Sequence, residues 1–356
     1  MKKLVILGGG YGGMRIMQKL FQSGVPEDIK ILLVDKAPYH CFKTEFYALA
    51  AGTIPDNHIR VAFPNHPQLE FINDEVSHID LQNNRVELQN HHEAIIYDDL
   101  IIGLGCEDKY HDIPGADQYT YGIQSIEATR QTNNALNNLS RSSRVAIVGA
   151  GLSGVEIASE LHESRPDLKI FLFDRGKMVL SKFPEKLSKY VNDWFQDHGV
   201  TIVNYANITK VEEGILYNYD EPMNFDCIVW TAGIRPSKVV RELDVEKDES
   251  GRVVLTSYHN IPGNEHVYVV GDCASLPFAP SAQLAEAQGD QIALVLLKRW
   301  NGEDLPDELP EIKLKGILGS LGKKQGFGLV AERPLTGRVA RLLKSGILWL
   351  YKFHNG

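Results

Sequence analysis

The chain has 356 residues, with 37 Lys and Arg against 46 Asp and Glu, a net charge of −9, and 43% hydrophobic content without any Gly or Pro period. That length can bury the cores of two or three domains, and this composition excludes disordered and collagen-like classes. The acidic balance argues against a nucleic-acid partner, and four scattered cysteines (Cys41, Cys106, Cys227, Cys273) without CxxC spacing predict neither a disulfide framework nor a metal site.

The opening run 3–7 reads as a strand rather than a signal peptide, because Gly8-Gly9-Gly10-Tyr11-Gly12-Gly13 follows at once. Helical spacing through Ile16, Met17 and Leu20 comes next, then a strand over 29–34 that ends at Asp35. Strands are expected at 71–80 and 85–88, and a buried strand pair over 94–104. After a polar helix at 125–139 the opening pattern returns. A strand at 144–148 leads to Gly149-Ala150-Gly151-Leu152-Ser153-Gly154, a helix at 155–161, and a strand at 169–173 that ends at Asp174. Then follow a helix at 187–198, short strands near 200, 208–211 and 215–219, and a buried strand at 227–230 before Thr231-Ala232-Gly233. A strand at 266–270 ends at Gly271-Asp272, and a long helix covers 282–300. No apolar run approaches the ~18 residues of a membrane span.

Each copy is strand–GxGxxG–helix–strand–acid, the acid falling 27 residues after the first glycine in one and 25 in the other. In this fingerprint the first glycine (Gly8, Gly149) makes the tight turn. The second (Gly10, Gly151) lets backbone approach a pyrophosphate. The third (Gly13, Gly154) lets the helix pack closely, so that its N-terminal amides face the phosphates. The acid, Asp35 or Asp174, can accept hydrogen bonds from ribose hydroxyls. One such run is often just a turn; two complete copies predict two dinucleotide sites. Asp174 favours NADH, since a 2′-phosphate would meet a like charge, while Arg175 beside it is the residue that would admit NADPH.

The duplicated pattern resembles the flavoproteins that hold FAD on one Rossmann domain and NAD(P)H on an inserted one. The resemblance implies an α/β fold with two Rossmann-like dinucleotide-binding domains: FAD-binding parts at 1–112 and 259–310, an NAD(H)-binding domain at 113–258, and a C-terminal flavin- and quinone-side segment at 311–356. It implies FAD on Gly8, Gly10, Gly13 and Asp35, with Val76 presenting backbone to the adenine. Gly105 matches a strand-end turn whose family Ala-Thr is Gly103-Leu104 here. Gly271 and Asp272 match the second FAD motif, and Gly233 the corresponding turn of the NAD domain. Residues 40–52 (HCFKTEFYALAAG), Glu156, Pro280-Ser281-Ala282-Gln283 and the run Lys315-Gly316 to Gly319-Ser320-Leu321-Gly322 are similar to type II NADH dehydrogenases, the non-pumping NADH:quinone oxidoreductases. That likeness implies NADH as donor and a menaquinone- or ubiquinone-type acceptor. It puts Glu156 at the nicotinamide–flavin stack, Ala282, Gln283 and Gln288 along the helix beside flavin and quinone, and Lys315 near the flavin. The quinone helix departs from the family pattern AQxxxQQ, because Ala287 replaces the first glutamine of the pair and Glu286 adds a charge.

Nine of the Lys and Arg, but only Glu332 among the acids, lie from Lys313 onward, so the tail carries +8 and the rest −17. Over 338–353, Arg338, Arg341, Ser345, Leu348 and Lys352 share one helical face, flanked by Lys344, and Val339, Leu342, Leu343, Ile347, Leu350 and Tyr351 share the other. A basic amphipathic helix can lie on an anionic membrane surface, which predicts a cytoplasmic protein peripheral to the inner face of the membrane. The other reading is a helix docked on its own domain or on the partner of a homodimer. Two further function classes share these motifs: a soluble NAD(P)H-dependent flavoprotein reductase acting on a protein or small oxidant, and a weakly active flavin-binding redox sensor. Cys41, six residues past Asp35, corresponds in position to the redox cysteine of related peroxidases and coenzyme A disulfide reductases, but their surrounding motif is missing and a buried, inert thiol is expected.

Overall fold

A computed structural model describes residues 1–355, with side chains up to Lys352; Gly356 and the Phe353 side chain, both in the expected C-terminal segment, lie outside the described residues. The elements run in two matching series. In the first, β1 (Lys2–Leu7), α1 (Tyr11–Ser23) and β2 (Ile29–Asp35) lead through α2 (Phe46–Ala50) to β3 (Leu69–Asn73). An antiparallel meander, β4 (Val76–Asp80), β5 (Arg85–Leu88) and β6 (Ile95–Ile96), then precedes β7 (Asp99–Ile102). After α3 (Ile126–Asn137) the series repeats as β8 (Arg144–Val148), α4 (Leu152–Ser164), β9 (Lys169–Phe173), α5 (Glu185–Asp197) and β10 (Thr201–Val203). A second meander follows, β11 (Ile208–Glu212), β12 (Ile215–Asn218) and β13 (Glu221–Asn224), and then β14 (Cys227–Trp230).

Strand order repeats as well: β7-β1-β2-β3 in one sheet and β14-β8-β9-β10 in the other, with every neighbour parallel. Parallel strands covered on both faces need near-continuous apolar runs, and IKILLVD and RVAIV supply them. β15 (Asn260–Ile261) and β16 (Asn264–Val269) extend the first sheet to six strands, and α6 (Ala282–Trp300) lies along α1. There Gly289 permits close approach, since a Cβ would sit 3.1 Å from the Gly12 carbonyl oxygen, and Arg15 pairs with Asp290 at 2.7 Å. The chain ends in an antiparallel sheet, β17 (Gly316–Leu321), β18 (Gln325–Val330) and β19 (Arg333–Gly337), covered by α7 (Arg338–Asn355).

Two compact units result. The first holds Met1–Cys41, Val61–Glu107 and Arg235–Leu314; the second holds Phe42–Arg60, Asp108–Ile234 and the chain from Lys315. Residues 42–60, 108–112 and 235–258 therefore fall on the other side of this division from the boundaries expected at 1–112 and 113–258. Within the second unit, Asn133 donates to the Leu49 carbonyl and Ser164 to that of Ala51, both at 2.7 Å, fastening the α2 segment beside α3 and α4.

Helix α7 has the expected extent and periodicity, but most of its charges turn inward. Ala340 and Lys344 are buried and Arg341 and Lys352 half-buried, whereas Val339, Leu342, Leu343, Ile347, Trp349 and Leu350 are exposed, Leu342 by 71%. Arg338 is the only exposed cation among the described residues 338–352. Among the described residues no helix is long and apolar enough to cross a membrane.

Candidate functional site: two dinucleotide cradles

The two glycine loops have nearly the same geometry. Gly8 and Gly149 adopt φ of +100° and +106°, which only glycine takes readily, and so make the turn from strand to helix. A Cβ on Gly13 would lie 2.2 Å from the Gly8 carbonyl oxygen, and one on Gly154 1.8 Å from that of Gly149, so only glycine lets the helix approach its loop. At Gly10 and Gly151, by contrast, a Cβ would meet no protein atom within 4 Å. These two residues are the N-caps of α1 and α4, without a capping side chain and without an acid in the first turn. α3 and α6, in contrast, are capped by Ser125 and Ser281. Open space above an uncapped, positively poled helix end suits a pyrophosphate, and both cradles meet that requirement.

The acids are held in the same way in both copies. Gly9 and Ala37 N–H donate to Asp35 at 2.7 and 2.8 Å; Ala150 and Gly176 N–H donate to Asp174 at 3.2 and 2.6 Å. Each carboxylate thereby ties its strand end to the glycine loop. Val76, buried, opens β4 just after the end of β3. The turn closing the first series has Gly105 at φ +66°, its carbonyl accepting from Ser237 N–H at 3.2 Å; Gly233, at φ +129°, closes the second series and accepts from Lys109 N–H at 3.0 Å.

Gly271 and Asp272, expected as the second FAD motif, start a short 3₁₀ turn. Gly271 N–H donates to Gln288 Oε1 at 2.9 Å, and the Cys106 thiol donates to Asp272 Oδ2 at 3.0 Å. Gln288 is fully buried, with Nε2 3.5 Å from His259 Nδ1, so its amide braces this motif. Ala282 and Gln283, half-buried, open α6, and Ala287 lines a shallow cavity of about 180 Å³ with Asp290, Gln291, Leu294 and residues 310–313. Lys315 is exposed just before β17. Cys41 is half-buried, more accessible than the buried thiol expected.

Glu156 leads to residues that the motifs did not reveal. Its Oε1 accepts from Ser320 N–H at 2.8 Å and from Lys344 Nζ, and Glu156 and Lys344 are only 5% and 7% exposed. Lys344 Nζ also donates to the Tyr47 hydroxyl at 2.9 Å, which lies 3.1 Å from Ser320 Oγ and 3.4 Å from Glu45 Oε1. Burial alone would lower the Lys344 pKa, but the facing Glu156, Tyr47 and Glu45 outweigh it and hold the ammonium group charged. Burial pushes Glu45 up to about 7 despite the attraction of Lys344. Helical spacing offered one clue to this cluster: Ala340, Lys344 and Leu348 share a stripe beginning with a small residue.

Residues 2–289 match the family described as pyridine nucleotide-disulphide oxidoreductase. The chain belongs to this family. It is therefore an oxidoreductase, and its cofactors are FAD and NAD(P)H. Among its relatives, "NADH dehydrogenase-like protein YutJ" of Bacillus subtilis is 65% identical over the whole of both chains. "Type II NADH:quinone oxidoreductase" of Staphylococcus haemolyticus is 28% identical over 97% of this chain and 94% of its own. The solved structure of NDH2 from Plasmodium falciparum in complex with NADH shares the fold at a TM-score of 0.82 and 15% identity, covering 98% of this chain and 94% of that one.

Proposed function

We propose that this protein oxidises NADH and passes two electrons through FAD to a quinone, without pumping protons, while lying on a membrane surface. The observation that carries the reading is the pair of matching uncapped glycine cradles, one heading each parallel sheet. FAD supplies the hydride-accepting and electron-releasing chemistry. The chain's own part is to hold: the α1 and α4 N-termini take pyrophosphates, Asp35 and Asp174 take riboses, and the braced Gly271-Asp272 turn takes the polar part of the flavin nucleotide. Glu156, charge-compensated by Lys344, is the proposed carboxylate of the nicotinamide side, with Gln283 and Lys315 proposed on the acceptor and flavin sides. Quinone is supported by the staphylococcal relative, and a membrane surface by the exposed apolar face of α7.

Anaerobic mixing tests this function. NADH is expected to bleach the yellow protein within the mixing time, and menadione or a short-chain ubiquinone to restore the colour. Bleaching that no quinone reverses would remove quinone as the acceptor and favour a soluble reductase.

A further inference from the structure

The second cradle, as described, accounts for pyrophosphate and ribose but leaves the adenine without a partner. Three adjacent parallel strands end side by side along its edge: β8 just before Gly149, β9 just before Asp174, and β10 two residues before Tyr205. Neighbouring strands are spaced ~4.8 Å apart. A nucleotide with its pyrophosphate at the first strand end and its ribose at the second carries its base on toward the third.

Tyr205 occupies that third position with unusual features. The residue is 58% exposed, yet its φ is +53°, a left-handed conformation that bulky residues rarely adopt. Both of its backbone groups are fastened. The N–H donates to the Gly176 carbonyl at 3.0 Å, inside the loop that Asp174 holds, and the carbonyl accepts from the Tyr219 hydroxyl at 2.8 Å. The next residue, Ala206, donates from its N–H to the Asp174 carbonyl at 2.8 Å. A largely exposed ring buries too little to offset a strained backbone, and strain held in place at a ligand edge points to use by the ligand.

We propose that Tyr205 is the adenine platform of the second site, an aromatic face on which the purine of NAD(P)H stacks, and that Tyr219 positions it. This rests on the nucleotide reading of the second fingerprint and is independent of the electron acceptor.

AMP presents adenine and ribose without nicotinamide, so calorimetric titration of AMP into the FAD-loaded protein reads this subsite directly. Tyr205→Gly removes the ring and relaxes the positive φ, so the variant is expected to melt no lower than wild type and to keep its flavin absorbance. It is expected to bind AMP roughly tenfold more weakly, the scale of one lost base–aromatic stack, while Tyr205→Phe stays within about twofold of wild type. Equal AMP affinity in wild type and Tyr205→Gly overturns the proposal and leaves the second cradle standing; failure of AMP to bind the wild type overturns both. Flavin bleaching by NADH, followed in parallel, reports on the proposed function separately.

Discussion

Lys344 of the last helix donates to Glu156 of the helix that heads the second cradle, and both groups are sealed from solvent. A buried ion pair contributes little net stability, but removing one partner strands the other charge. Lys344→Met is therefore expected to destabilise the protein by about 3–5 kcal/mol, and the double variant with Glu156→Gln to recover most of that loss. Urea unfolding followed by tryptophan fluorescence measures both, and equal losses in single and double variants would contradict the pairing.

Glu45 belongs to the same cluster and gives it a pH dependence. Its carboxyl is raised from an ordinary 4.5 to about 7, with burial the largest cause, against the attraction of Lys344, Arg341 and Lys352 and with repulsion from Glu156. Between those values the folded chain keeps a proton that the unfolded chain has lost, so this stabilisation is complete below about 4.5 and disappears as pH rises through 7. The effect reaches at most roughly 3 kcal/mol, and Glu45→Gln abolishes it. His40, lowered to about 4 by burial, acts in the opposite sense, losing stability as pH falls from 6.5. The readout is therefore the difference between wild type and Glu45→Gln across pH 4.5–7.5; parallel curves would refute the assignment.

The open glycines separate the two cofactors. Gly10 and Gly151 have φ of −69° and −73°, ordinary for any residue, and a Cβ there meets no protein atom within 4 Å. Gly10→Val is expected to fold and to purify without flavin. Gly151→Val is expected to remain yellow but to need at least about tenfold more NADH for bleaching, since lost phosphate contacts are charge-assisted hydrogen bonds. Absorbance spectra and an NADH titration decide, and a Gly151→Val protein with wild-type NADH affinity would put the nicotinamide nucleotide elsewhere.

These cradles were legible in the sequence because their signal is local. Turn, helix start and acid lie within 28 residues of each other, and each glycine is there for a steric reason visible in the string itself. The strand at Cys227–Trp230 and the helix at Ala282–Trp300 were equally plain, being apolar runs with clear stops. What local pattern could not supply was partnership across the chain. Nothing near Lys344 announces a carboxylate 188 residues earlier, so its charge read as a surface charge. Gln288 read as a residue beside flavin and quinone, and its bond to Gly271, 17 residues earlier, was not visible in the string. Strands were expected at 71–80, 85–88, near 200, 208–211 and 215–219, but their recurrence as a third strand and a meander in both series was not, because pairing rather than sequence makes them alike.

The inward turn of α7 changes how attachment to a bilayer would work. With Lys344 engaged internally and Arg341 and Lys352 half-buried, the surface offered outward is mainly apolar. Vesicle co-sedimentation is expected to survive about 0.5 M salt, where the Debye length falls to a few ångströms. Leu342→Gln with Ile347→Gln is expected to abolish it without unfolding the chain, both side chains being exposed. Deleting the whole helix is the wrong test, since it would also take Lys344 from Glu156. Binding that salt disrupts and the glutamines spare would mean that cationic residues elsewhere make the contact.

Ser125 and Ser281 finish their helices with hydroxyls of the chain itself, whereas α1 and α4 begin on bare glycine. On the proposed assignment each pyrophosphate takes the amides at one of these two helix starts, which links nucleotide binding to folding. Stripped of FAD, the protein is expected to melt at a lower temperature and to recover as the cofactor is returned, with a midpoint that tracks the concentration added. Heat resistance in a crude extract would then report how much of the protein is carrying its flavin.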